Sequence, residues 1–132
     1  MSGSIQGLMV MHADLAGALL RAAEKVYGPI EGVQVLSNSD LSREQLEAEI
    51  EQEVKGWTAG GVLFTDFWGG SCHMCGASAA RRHGEVAIMT GVNLPMLLDY
   101  LHNRDRLPLG ELVERLQQKG RDSIRIQRGQ TA

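Results

Sequence analysis

An open, doubly wound parallel α/β sheet with strand order 2-1-3-4 is the fold this sequence predicts, and three observations carry it. Short apolar runs alternate with longer segments whose apolar residues recur at helical spacing. Glycines, 16 of 132 residues, stand mostly where those segments end. In the stretch Gly60 to Cys75, GGVLFTDFWGGSCHMC, an apolar run delivers Asp66 to a glycine turn that opens a helix. Such a carboxyl edge is where open α/β sheets place their ligands.

The elements follow in order. Ile5 to Met11 is an apolar run of strand length ended by His12, with Asp14 as the expected N-cap of the next helix. Leu15, Ala18, Leu19, Ala22 and Val26 give that helix its stripe, and Gly28-Pro29 stops it. Val33 to Leu36 is a second strand. Ser42 and Gln45 form a capping box before a helix marked by Leu46, Ile50 and Val54. Gly61 to Thr65 is the third strand, and a helix runs from about Cys72 to Arg82, with Ser71 as its expected N-cap. Val86 to Met89 is the fourth strand. Asn93 caps a helix that carries Pro95 in its first turn. Pro108 opens a last helix through Leu109, Leu112, Val113 and Leu116, closed at Gly120. Ser123 to Gln127 alternates apolar and polar residues, the pattern of a half-exposed edge strand.

Composition excludes several classes. At 132 residues the chain is read as one domain, residues 1–132, large enough for a core without staples. A net charge of -3 without a basic tract, and 5% aromatic residues, argue against a nucleic-acid surface. No apolar run approaches the ~20 residues of a membrane span. Met-Ser-Gly-Ser lacks the basic and apolar regions of a signal peptide, so a cytoplasmic protein is expected. Two cysteines three positions apart make no disulfide framework. No cofactor is expected.

In a 2-1-3-4 sheet the switch point lies between strands one and three, so His12 and Asp66 meet at the carboxyl edge. A carboxylate accepting one imidazole N–H fixes the tautomer, aims the ring and stabilises the cation formed on attack. With a phosphoryl donor the histidine becomes the nucleophile. The turn Gly69-Gly70-Ser71 then offers backbone N–H groups and a hydroxyl to the phosphoryl oxygens. No G-x-x-x-x-G-K-S/T loop exists to hold a nucleotide, so the phosphoryl group must arrive on another protein.

The segments TDFWGGS (Thr65 to Ser71) and TGVNLPML (Thr90 to Leu97), with a histidine ending the first strand, resemble the mannose-family IIA domain of the bacterial phosphoenolpyruvate-dependent sugar phosphotransferase system. The resemblance spans nearly the whole chain. It implies that His12 accepts a phosphoryl group from the histidine phosphocarrier protein and passes it to a IIB component for sugar uptake. Asp66 would orient it, while Gly69, Gly70 and Ser71 would hold the phosphoryl oxygens. It further implies a homodimer in which a C-terminal antiparallel edge strand, here Ser123 to Gln127, is exchanged between subunits. Any membrane role would be peripheral to a sugar permease. A dihydroxyacetone-kinase phosphotransfer subunit is a related, less well matched candidate.

Two departures stand out. Where the family commonly has a small hydroxylated residue before the histidine and glycine after it, this chain has Met11 and Ala13. Where proline and, two residues later, asparagine usually follow GGS, it has Cys72 and Met74. Cys72-His73-Met74-Cys75 sustains an alternative, a regulatory phosphorylation- or redox-sensing module acting on a protein partner, since C-x-x-C at a helix start is the thioredoxin-like placement. Cys72, Cys75 and His73 with His12 could also ligate zinc, although adjacent ligands are awkward on one turn, and no metal is expected. The plainest reading has both cysteines packing the helix start. His83 and His102 are expected in solvated or capping roles, Arg81, Arg82, Arg104 and Arg106 on solvated faces, Trp68 beside the pocket, and Trp57 and Met96 in the core.

Overall fold

Side chains along the first strand, β1 (Gln6–Met11), point alternately to two apolar layers, and this alternation organises the molecule. The computed structural model describes residues 4–129; Met1 to Gly3, part of the stretch read for a signal peptide, lie outside them. The order is β1, α1 (Leu15–Tyr27), β2 (Val33–Ser37), α2 (Arg43–Val54), β3 (Gly61–Thr65), α3 (Ser71–Arg82), β4 (Val86–Thr90), α4 (Leu94–Asn103) and α5 (Leu109–Asp122). The strands form one parallel sheet, β2-β1-β3-β4, as expected. Met9 pairs with Val35 on one side and Phe64 on the other, and Leu63 pairs with Ile88.

Met9, Met11, Val62 and Phe64 bury one face against Ala16 and Ala23 of α1, Leu97, Tyr100 and Leu101 of α4, and Leu112 and Leu116 of α5. Leu8, Val10 and Leu63 bury the other against Leu46, Ile50 and Val54 of α2 and Cys72, Cys75 and Ala79 of α3. Both layers are needed because a parallel sheet has no face to spare for water. The Ser42–Gln45 capping box is formed in both directions, and Asn93 Oδ1 accepts the Met96 N–H at 3.1 Å. No helix among the described residues is long and apolar enough to cross a membrane.

Several local expectations are corrected. Gly70, not Ser71, occupies the N-cap of α3, and Ser71 is its first helical residue. Asp14 stands at the N-cap of α1 but its side chain caps nothing. The last helix runs through Gly120 to Asp122. Gly120 is a packing position: a Cβ there would lie 2.7 Å from Met96 Cε, so the glycine brings α5 onto α4 rather than ending it. Ser123 to Gln127 makes no strand within this chain. Its alternate apolar residues, Ile124 and Ile126, have no sheet to lie on and are 75% and 89% exposed. Arg104 is buried: its guanidinium donates to the Glu31 carbonyl at 2.5 Å and to Tyr100 Oη at 3.4 Å.

Candidate functional site

β1 and β3 are hydrogen-bonded neighbours that end together at the carboxyl edge, and the next residue of each is a site candidate. His12 and Asp66, 54 positions apart in sequence, therefore lie side by side. Asp66 Oδ2 accepts two hydrogen bonds from the same residue, from the His12 main-chain N–H and from ring Nδ1, both at 2.9 Å. Asp66 Oδ1 accepts the Phe67 N–H at 3.2 Å. His12 Nε2 has no hydrogen bond among the described residues, and the side chain is 36% exposed against 11% for Asp66.

Burial pushes the Asp66 carboxyl up, but the main-chain and ring N–H groups of His12 outweigh it and hold it below the ordinary carboxylate value. Asp66 is thus an anion at neutral pH, so the ring nitrogen facing it carries the proton. The neutral imidazole then has its lone pair on Nε2, the nitrogen left without a partner. The pair provides an imidazole with its tautomer fixed and its second nitrogen without a partner.

The glycine turn lies against this ring. A Cβ on Gly70 would come 3.1 Å from His12 Cε1 and 2.8 Å from the Phe67 ring, so only glycine lets the turn approach so closely. Gly69 has φ +95°, a conformation that side chains disfavour. Its N–H is not free for a ligand: it donates to His73 Nδ1 at 2.9 Å. The open donors of the turn are those of the first turn of α3, where helical geometry leaves N–H groups unpaired. Ser71 begins that turn, and the main-chain bond from Met74 N–H to Gly70 carbonyl closes it.

Phe67 and Asn38 escaped the sequence reading, and His73, weighed there only as a zinc ligand, has another task. Phe67 stacks on the His12 ring with centroids 4.9 Å apart. His73 is buried, holds the Gly69 N–H, and carries the exposed Trp68 against its ring at 4.3 Å. Asn38, in the loop after β2, accepts the Ala13 N–H at 3.3 Å. An aromatic pair before the glycines was a visible signal for Phe67; no signal pointed to Asn38 or to the hold of His73 on Gly69. Ala13 has φ +52°, a left-handed conformation that glycine would adopt freely. The departure Ala13 thus carries real backbone strain beside His12.

Cys72 and Cys75 are both buried in the core layer of α2 and α3, consistent with packing residues. Burial, then the Asp66 charge, pushes the Cys72 thiol up to about 11, and burial also raises Cys75. The zinc set weighed as an alternative is not assembled, because Cys75 Sγ faces the Arg43 carbonyl at 3.7 Å and His73 is turned to Gly69. Instead Cys72 Sγ comes 3.9 Å from His12 Nδ1. Elsewhere, His83 pairs with Glu51 at 2.7 Å, Arg82 bridges Glu47 and Glu51, and His102 meets Tyr27 edge-on.

A family model described as the PTS system fructose IIA component, EIIA-man, matches residues 7–117. The sorbose-specific EIIA component of the PTS from Klebsiella pneumoniae is 26% identical over 114 residues, which cover 86% of this chain and 84% of that one. The mannose-specific EIIAB component of Escherichia coli K12 is 31% identical over 121 residues, 86% of this chain but 36% of that longer protein. The crystal structure of phosphotransferase system component EIIA from Streptococcus agalactiae superposes with a TM-score of 0.87 at 19% identity, covering 92% of this chain and 96% of that one. That last likeness establishes the fold.

Proposed function

The chain belongs to this EIIA-man family of phosphotransferase-system IIA components, and from that premise we propose that it is a phosphohistidine relay centred on His12. The observation that carries the reading is the bond from His12 Nδ1 to an ionised Asp66, which leaves the Nε2 lone pair free. Nε2 attacks the phosphorus of a phosphohistidine on the histidine phosphocarrier protein. The N–P bond of the donor breaks, its electron pair leaving with the donor imidazole, while an N–P bond forms at His12. The phosphorylated ring keeps its Nδ1 proton, and its positive charge faces Asp66. Transfer to a IIB component reverses these steps with a new imidazole as acceptor.

The transferred group is stabilised by the start of α3, where N–H groups near Gly70 and Ser71 and the positive end of the helix dipole favour an anion. Gly69 serves the turn by its conformation, its own N–H being held by His73. The acting unit is the whole of residues 1–132, working in the cytoplasm on two protein partners rather than on a sugar. Exposed Ile124 and Ile126 support exchange of Ser123 to Gln127 as an antiparallel strand in a homodimer, since they would find a sheet edge on a second copy. The redox-sensing alternative is less well supported, because both thiols are buried and hard to ionise.

The test is phosphorylation by phosphoenolpyruvate, the first enzyme of the system and the phosphocarrier protein. An acid-labile, base-stable adduct is expected, absent in His12→Gln and discharged by a IIB component. No adduct, or an adduct that survives His12→Gln, overturns the relay.

A further inference from the structure

We propose that the same edge binds a soft divalent cation, zinc by its donor chemistry, on His12 Nδ1, Asp66 Oδ2 and Cys72 Sγ, and that the bound metal switches the relay off. The switching clause rests on the relay reading above; the site itself does not. Three donor atoms, from the end of β1, the end of β3 and the first turn of α3, lie within 4.8 Å of one another. Nδ1 and Oδ2 are 2.9 Å apart, and Nδ1 and Sγ 3.9 Å. Tetrahedral zinc, with bonds of about 2.0 Å to nitrogen or oxygen and about 2.3 Å to sulfur, wants those separations near ~3.3 and ~3.5 Å. Adjustments of about half an ångström at side-chain ends satisfy both.

The donor set matches the cation in charge and softness. One imidazole, one carboxylate and one thiolate neutralise a divalent ion and leave a fourth position for water, a combination that suits zinc and not magnesium. Cys72 stands where the resemblance expects proline, and the relay chemistry gives its sulfur no task.

Loss of transfer follows from the tautomer. Zinc on Nδ1 displaces the proton now donated to Asp66. A neutral imidazole bound through Nδ1 carries its N–H on Nε2, so the lone pair that attacks phosphorus is gone. The thiol proton leaves to solvent as the Zn–S bond forms. No redox change is involved.

Cobalt(II) is the spectroscopic probe and zinc(II) the effector, used on the unphosphorylated protein with a non-chelating reductant. The wild type is expected to show a thiolate-to-cobalt charge-transfer band that zinc removes, and Cys72→Ala to lack it and bind zinc at least about tenfold more weakly. Phosphoryl uptake from purified, pre-phosphorylated phosphocarrier protein should fall at least about tenfold with stoichiometric zinc and recover with a chelator. Cys72→Ala should take up phosphate normally with or without zinc. Cys72→Ser replaces it if melting shows the alanine variant is poorly folded. Magnesium should do nothing. A missing thiolate band, or zinc affinity unchanged in the Cys72 variants, overturns the site. A band with uptake unaffected by zinc overturns the switch. Failure of uptake without metal, with the band present, sinks the relay and leaves the site standing.

Discussion

Polar clusters sit at both ends of β1, and they are built to opposite rules. At the amino end, Tyr100 Oη donates to the Ile5 carbonyl at 2.6 Å, and the Arg104 guanidinium reaches both Tyr100 and Glu31. Gly7 makes the room, since a Cβ there would stand 2.8 Å from Tyr100 Oη. Tyr100 is fully buried, and its burial pushes the phenol up to about 12. At the carboxyl end His12 is partly exposed with Nε2 unpartnered, Ala13 is strained, and the buried hydroxyls of Thr65 and Thr90 have no partner among the described residues. Closed polar networks stabilise a fold, whereas open ones store reactivity at a local cost in stability. The difference separates what holds this sheet together from what it presents.

Substitutions at one end of β1 should leave the other end unaffected. The largest expected effect is at the open end. Asp66→Asn keeps the shape but can stabilise the wrong tautomer, so phosphoryl uptake should fall at least about hundredfold. Rapid-quench measurement of labelled protein checks this, and near-normal uptake would remove Asp66 from the mechanism. Next is the closed end. Tyr100→Phe leaves the Ile5 carbonyl and Arg104 short of a partner, at a cost of about 1–3 kcal/mol in urea unfolding. Uptake by the surviving folded protein should not change; if it does, the two ends are coupled.

Ala13→Gly sharpens the contrast by relieving strain at the open end. Removal of the left-handed penalty, less the entropy of glycine, should leave a gain between a few tenths and about 1 kcal/mol in the same assay. A loss would mean that strain at φ +52° is not the controlling factor. The smallest effect lies away from both ends. The hydrogen bond from His83 to Glu51 outweighs burial, with help from Arg82, and depresses the Glu51 carboxyl below its ordinary 4.5. A depressed carboxylate stabilises fully above its unfolded value, and that contribution is lost as pH falls through the folded one. Glu51→Gln should therefore flatten the acid side of a melting-temperature profile slightly, and less so in high salt because the pair is only partly buried. Identical acid limbs for both proteins would remove Glu51 as a contributor.

The fold was legible because its signals are local. Apolar alternation and glycine punctuation located Gly61 to Thr65 to the residue, and Ser42–Gln45 and Asn93 announced their caps. The pairing of His12 with Asp66 followed from topology alone, since adjacent parallel strands bring their carboxyl ends together. Arg104 was misjudged because its partner, the Glu31 carbonyl, lies 73 positions away with no pattern linking them. The hold of His73 on Gly69 spans only four residues, yet it depends on a turn conformation that composition does not encode. Ser123 to Gln127 carries a strand pattern but pairs with no strand among the described residues, so periodicity alone was an incomplete guide.

One oxygen of Asp66 receives both the main chain and the ring of His12, so the imidazole is pinned at two points and cannot swing between two faces. A pinned ring with one accessible nitrogen is a single berth. In the relay proposed above, the protein that delivers the phosphoryl group and the protein that collects it use the same approach, one after the other. Initial rates measured against both partners should then give parallel double-reciprocal lines, with each protein in excess inhibiting the other by occupancy alone.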